Sequence, residues 1–166
     1  MTLNGNPTYI YDAEGQRVAK YSGGSISAVY VLGPGGEQIT ETNGSGTWMY
    51  SNVFTTDGRL LATYEGPGGS AAAGYHYNLT DWLGTKRVQA NNNGNEDEAC
   101  VSYPFGDGLS CSGPHATDAS DLHFTGKERD AESGLDYFGA RYLSSNFGRF
   151  MTPDWAAAPT AVPYAS

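Results

Sequence analysis

Long apolar runs are missing from this 166-residue chain. No stretch approaches the roughly 18 apolar residues of a membrane helix, so the sequence offers no helical span. Basic residues are scarce: nine Lys and Arg stand against eighteen Asp and Glu, a formal charge of −9. No basic cluster exceeds Lys86-Arg87, and an acidic surface repels phosphate backbones, which argues against nucleic acid as a partner. Charged residues make up only 16% of the chain, so Ser, Thr, Asn and Gly must supply much of the polar surface. Met1 to Gly5 lacks the basic start and apolar core of a signal peptide. An exported protein would therefore carry its signal outside this chain or use another route.

Metal-binding and nucleophilic chemistry is also thinly represented. The two cysteines, Cys100 and Cys111, flank a Gly-rich turn from Tyr103 to Gly108. Two thiols are too few for a structural zinc site. A turn between two short strands would join them as a cross-strand disulfide, the alternative being two reduced, half-buried thiols. His76, His115 and His123 are dispersed in sequence and read as strand-face or loop residues. Asp12-x-Glu14 and Asn95 to Glu98 carry oxygen ligands without the full spacing of a calcium loop. No hydrolase elbow surrounds Ser110. No cofactor is expected.

What the chain does contain is glycine and tyrosine, 23 and 12 residues. Tyr and Thr suit pleated surfaces and Gly breaks helices. No segment sustains an apolar helical period for three turns; Asp130 to Phe138 has room for a single helical turn. Short strand-like runs recur instead, separated by turn signals. Thr8 to Tyr11 pairs with Gln16 to Tyr21, Ile26 to Leu32 with Glu37 to Thr42, and Thr47 to Thr55 with Arg59 to Tyr64. A further strand begins at Gly74. In Asn43-Gly44 the left-handed conformations of a tight turn are expected at the Asn-Gly pair. Gly66 to Gly74 and Gly113 to Ser120 read as loops, and Trp155 to Ser166 as an extended Ala/Pro-rich tail.

The hairpins carry a weak repeat. Tyr11, Asp12, Gly15 and Arg17 form the pattern Tyr-x-Tyr-Asp-x-x-Gly-x-Arg. A related turn follows at Asp81-x-x-Gly84-x-x-Arg87. Asp and Gly make the turn, Arg spans back across the hairpin, and Tyr covers the neighbouring face. One such hairpin cannot bury its apolar side alone, whereas stacked neighbours can. The densest motif lies late in the chain. Phe124 to Leu143 contains Gly126, Arg129, Asp130, Gly134, Tyr137, Gly139, Arg141 and Tyr142, and is followed by Gly148, Arg149 and Pro153-Asp154. An ion-pair lattice of Arg129, Arg141 and Arg149 with Asp130, Glu132 and Asp136 is expected to stitch this segment.

The early pattern resembles a YD repeat. Asp81-Trp-Leu-Gly84-Thr-Lys-Arg87 and Tyr103-Pro-Phe-Gly106 resemble further boxes of bacterial RHS/YD-repeat proteins, the latter one residue short. Thr125 to Asp154 resembles their core-associated segment. The resemblance covers Thr8 to Asp154. It implies an all-β fold of consecutive antiparallel hairpins in a curved or spiralling strip, with residues 1–154 as the repeat region, about 121–154 as the core-associated motif and 155–166 as the tail. In the family's toxin members such strips form a shell around a C-terminal effector, released by aspartyl self-cleavage. Asp154 is the only match to the cleavage acid. An aspartyl pair needs two carboxylates, and its partner is not in this chain, so no catalytic residue and no enzyme activity are expected.

The expected role is a non-enzymatic, extracellular or cell-surface β-repeat protein, serving as scaffold or self-assembling into filaments. Its partners would be copies of itself, paired at unsatisfied sheet edges, or the remainder of a larger RHS protein. Two alternatives are a toxin-shell fragment whose longer parent cleaves itself, and a carbohydrate-binding surface module. The last would use Trp48, Trp82, Tyr30, Tyr50 and Tyr64 as exposed stacking platforms.

Overall fold

The computed structural model describes residues 7–69, 73–116 and 122–154. The Ala/Pro-rich tail, the ends of the chain and the centres of the two expected loops lie outside these residues. Ten strands run in sequence order through one antiparallel sheet: β1 (Thr8–Tyr11), β2 (Arg17–Ser22), β3 (Ser25–Leu32), β4 (Gln38–Asn43), β5 (Trp48–Phe54), β6 (Leu60–Glu65), β7 (Gly74–Thr80), β8 (Lys86–Asn91), β9 (Glu96–Val101) and β10 (Ser110–Ser112). A second sheet holds β11 (Glu128–Asp130), β12 (Leu135–Tyr137), β13 (Tyr142–Ser144) and β14 (Arg149–Phe150). The fold is the hairpin strip the sequence implies, with the late motif folded into its own small sheet.

One turn builds most of the strip. Asp12, Gly33, Asn43, Thr55, Asp81, Asn91 and Tyr103 each donate a backbone N–H to the carbonyl four residues on. Each also accepts, at its own carbonyl, the N–H of a glycine three residues on, all at 2.8–3.2 Å. Those glycines have φ between +77° and +86°, the left-handed residue that closes a three-residue hairpin loop. The Oδ1 atoms of Asp12, Asn43, Asp81 and Asn91 each accept two further backbone N–H groups inside their loops, which is why Asp and Asn recur at the first position. In the Asn43 turn the left-handed residue is Gly46, not the Asn-Gly pair. Gly44 serves close approach, since a Cβ there would collide with the Ile26 carbonyl. A Cβ on Gly58 meets nothing, so Gly58→Ala isolates the conformational cost. Chemical denaturation is expected to show a loss of about 1–2 kcal/mol, and Gly58→Asn a smaller one.

Asp130 to Phe138 forms the β11–β12 hairpin rather than a helical turn. Gly134, at φ +68°, donates to the Asp130 carbonyl at 2.7 Å, and the chain reverses within one turn. A short 3-10 turn, Phe124–Gly126, leads into β11.

Burial along the strip is unusual in kind. Residues of β7 alternate strictly, with His76 and Asn78 buried and Tyr75, Tyr77 and Leu79 exposed. The buried face carries Asn52, Thr63, Asn78 and Gln89, linked by side-chain hydrogen bonds of 3.0–3.3 Å. Apolar side chains such as Val31, Val53 and Tyr77 face outward. A buried polar face is tolerable only when its groups are paired, and a satisfied network of this sort selects one register over others. Two residues expected to be exposed platforms are core instead: Tyr30 is 5% and Tyr50 1% exposed. The Tyr50 hydroxyl donates to Glu41 and receives the Gln38 amide.

Candidate functional site

The chemistry of this chain concentrates at the seam between strip and late sheet. Arg17 enters it from β2, just after the first turn. Its two terminal nitrogens lie 2.7 Å from Glu128 Oε2 and 2.7 Å from Asp130 Oδ1. Both acids sit on β11, two residues apart, and therefore on one face. The guanidinium carbon stands 4.5, 5.3 and 4.3 Å from the ring centres of Tyr9, Tyr30 and Tyr137. Three electron-rich faces thus surround a cation held between two carboxylates. The Arg17 N–H also donates to the Tyr137 hydroxyl at 3.2 Å.

Electrostatics follow from this geometry. Burial works against the charge on Arg17, and Glu128 and Asp130 more than offset it, so the guanidinium holds its proton more tightly than usual. Burial raises Glu128 above the ordinary carboxylate range, although Arg17 opposes it. The Tyr9 and Tyr30 hydroxyls are driven upward, first by burial and then by the neighbouring acids. Around this centre Lys20 binds Glu132 at 2.9 Å, Tyr9 donates to Glu132, and the Tyr11 and Tyr142 hydroxyls meet at 2.9 Å. Asp130 and Glu132, expected to pair within the late segment, instead fasten it to β2.

Other motif residues hold their own turns. Arg129 forks onto Asp136 at 2.8 Å to each oxygen; Asp136 is fully buried, and burial raises its carboxyl against the pull of Arg129. Arg87 spans back to Asp81 Oδ2 at 3.0 Å, the arrangement expected of the repeat, whereas Arg17 leaves its own Asp12 for the seam. Gly15, Gly84 and Gly148 supply left-handed turn residues, as do Gly126, Gly134 and Gly139 in the late segment. Arg149 is exposed, 5.9 Å from the Phe147 ring. Arg141 covers Phe150 at 3.9 Å and reaches Asp154 at 3.3 Å. Asp154 is about half exposed there.

Thr125 marks the second point of docking. It is β-branched yet has φ +52°, a conformation such residues rarely adopt, and its N–H donates to Thr85 Oγ1 at 3.2 Å. A Cβ on Gly106 would press on Phe124 at 2.8 Å. Next to it, Lys86 pairs with Glu98 at 2.8 Å, both almost fully buried. Cys100 and Cys111 oppose each other across β9 and β10 and are joined by a disulfide. Sequence reasoning had no handle on Glu128, Tyr9 or Tyr30 as seam residues, because each meets a partner far along the chain.

No protein-family model matches the chain, and no curated protein matches it. Solved structures do. A crystal structure of TcdB2-TccC3 aligns with 94% of this chain at a TM-score of 0.65 and 19% identity. The Photorhabdus luminescens Tc holotoxin pore with a mutated TccC3 aligns with 94% at a TM-score of 0.53 and 15% identity. The fold is RHS-like. This chain spans about 8–9% of the length of those chains. No helix among the described residues is long and apolar enough to cross a membrane.

Proposed function

We propose that this chain is a non-enzymatic segment of an RHS/YD-type shell, with its core-associated sheet docked against the hairpin strip. The observation that carries this reading is the Arg17 centre. A residue of the YD-like repeat is clamped by two acids of the core-associated motif, so the two signatures act as one structural unit. Similarity of fold to toxin-complex proteins supports a structural role, an extracellular setting, and partners drawn from a larger RHS protein. Strands β1 and β10 end the long sheet and provide edges for such neighbours or for further copies.

Self-cleavage forms no part of this role. Asp154 faces Arg141, and the two acids of the seam are separated by a guanidinium rather than sharing a proton, unlike an aspartyl pair. Prolonged incubation at mildly acidic and neutral pH, followed by intact mass measurement, is expected to return one unchanged mass. A discrete cut abolished by Asp154→Asn would reject the non-enzymatic reading. Light scattering and electron microscopy over a concentration series address assembly, and a monomer at all concentrations rejects edge-mediated association. For a carbohydrate surface, the outward Trp48 ring is unavailable on one face: it stacks on Tyr64 at 5.3 Å and 5°.

A further inference from the structure

We propose that His76, Asp97 and His115 form a binding site for a divalent transition metal, Zn²⁺ above all. The three residues are 21 and 18 positions apart in sequence. Pairing of β7 through β9 and the return of the chain after β10 bring them together. His76 Nδ1 lies 2.9 Å from Asp97 Oδ2, and His115 Nδ1 lies 3.6 Å from the same oxygen. All three potential ligand atoms fall within 4.8 Å of one another. A tetrahedron with zinc–nitrogen and zinc–oxygen bonds of about 2.0–2.1 Å has edges of about 3.3 Å. The two measured distances bracket that edge, so small side-chain adjustments admit the ion.

Two observations separate this cluster from an ordinary buried ion pair. His115 Nδ1 is enclosed and has no hydrogen-bond partner, although a buried ring nitrogen normally finds one. Asp97 is positioned by its surroundings rather than by the histidines alone. Asn91 Nδ2 donates to its Oδ1 at 3.0 Å, leaving Oδ2 for the imidazoles, and its backbone carbonyl receives the His115 N–H at 2.9 Å. An outer partner that orients a ligating carboxylate in this way is the usual support of a metal ligand. Two imidazoles and one carboxylate suit zinc and its neighbours, whereas calcium and magnesium favour oxygen throughout. The cluster borders a cavity of about 480 Å³ that also touches Gly74 and Pro114. Three protein ligands leave a fourth position for water or an incoming group from that cavity. Once bound, the ion ties the segment carrying His115 to β7 and β9.

The test uses the full chain with its disulfide intact, stripped of metal and titrated with ZnCl₂ by calorimetry and with CoCl₂ by visible absorption. Saturation at one equivalent is expected, with the intense ligand-field bands of tetrahedral cobalt. His115→Ala is expected to weaken zinc binding by about 100-fold or more, and Asn91→Ala by about tenfold, as for loss of an outer partner. His123→Leu is expected to leave binding unchanged. His115 retains some exposure, so its replacement is a milder risk to folding than that of His76; circular dichroism checks each variant. Absence of saturable uptake overturns the proposal. So does full affinity in folded His115→Ala, or an equal loss in folded His123→Leu, which would place the ion away from His115.

Discussion

Replacing Arg17 by methionine is expected to destabilise the protein by about 3–5 kcal/mol in urea unfolding at neutral pH, the range seen when one partner of a buried ion pair is removed. The side chain is 1% exposed, Asp130 2% and Glu128 10%. Methionine preserves much of the contact with Tyr9, Tyr30 and Tyr137, so the loss reports charge rather than a cavity. It has a distinctive pH signature. Without the guanidinium, burial raises the folded-state carboxyl pKa of Glu128 further above its unfolded value. A raised carboxyl contributes stability below its unfolded pKa and loses it as pH rises. The deficit of Arg17→Met relative to the parent should therefore shrink between pH 7 and pH 5. Adding Glu128→Gln and Asp130→Asn should restore at least about half of the loss, because the uncompensated charge is then gone. A deficit independent of pH and unrelieved by the amides would show that Arg17 acts through packing alone.

The same residue shows what was legible in the sequence. Turn chemistry is local: Asp12 to Gly15 and Asp81 to Gly84 announce their hairpins because a carboxylate and a left-handed glycine are both needed within four residues. Strand boundaries followed from such punctuation. Gly46 was hidden because Asn43-Gly44 also satisfies a two-residue turn rule, and only the close approach of Ile26 decides between them. Partner choice was not legible. Arg17 stands two residues after Gly15 and Arg87 three after Gly84, so the two lie on opposite strand faces: Arg87 folds back on Asp81 while Arg17 crosses to β11. His76 and His115 were invisible as a pair for a related reason: their proximity depends on the register of three strands and the path of the chain after β10. The seam reverses the usual expectation that buried means apolar, so hydropathy could not locate it. A face lined with Asn, Thr and Gln is tolerated here because these side chains pair with one another.

Acid is expected to weaken this fold through one imidazole. His123 joins the strip to the late sheet: its carbonyl accepts the Lys86 N–H at 3.3 Å and its N–H donates to Lys127 at 3.1 Å. Its Nδ1 is enclosed without a partner. Burial, then the charges of Lys86 and Arg129, push its pKa from 6.5 down to about 3. The unfolded chain therefore binds a proton first as pH falls. Stability from this group is complete above about pH 6.5 and drains away toward pH 3. At about 1.4 kcal/mol per pH unit within that window, the loss reaches about 3 kcal/mol at pH 4. His123→Leu keeps the backbone bonds and removes the titration. The stability difference between parent and variant should therefore change by about that amount from pH 7 to pH 4, while contributions from Glu128 and other acids cancel in the comparison. Parallel pH profiles for the two proteins would mean that protonated His123 is accommodated at the seam, and that the Lys86 ammonium lies too far from the ring to oppose it.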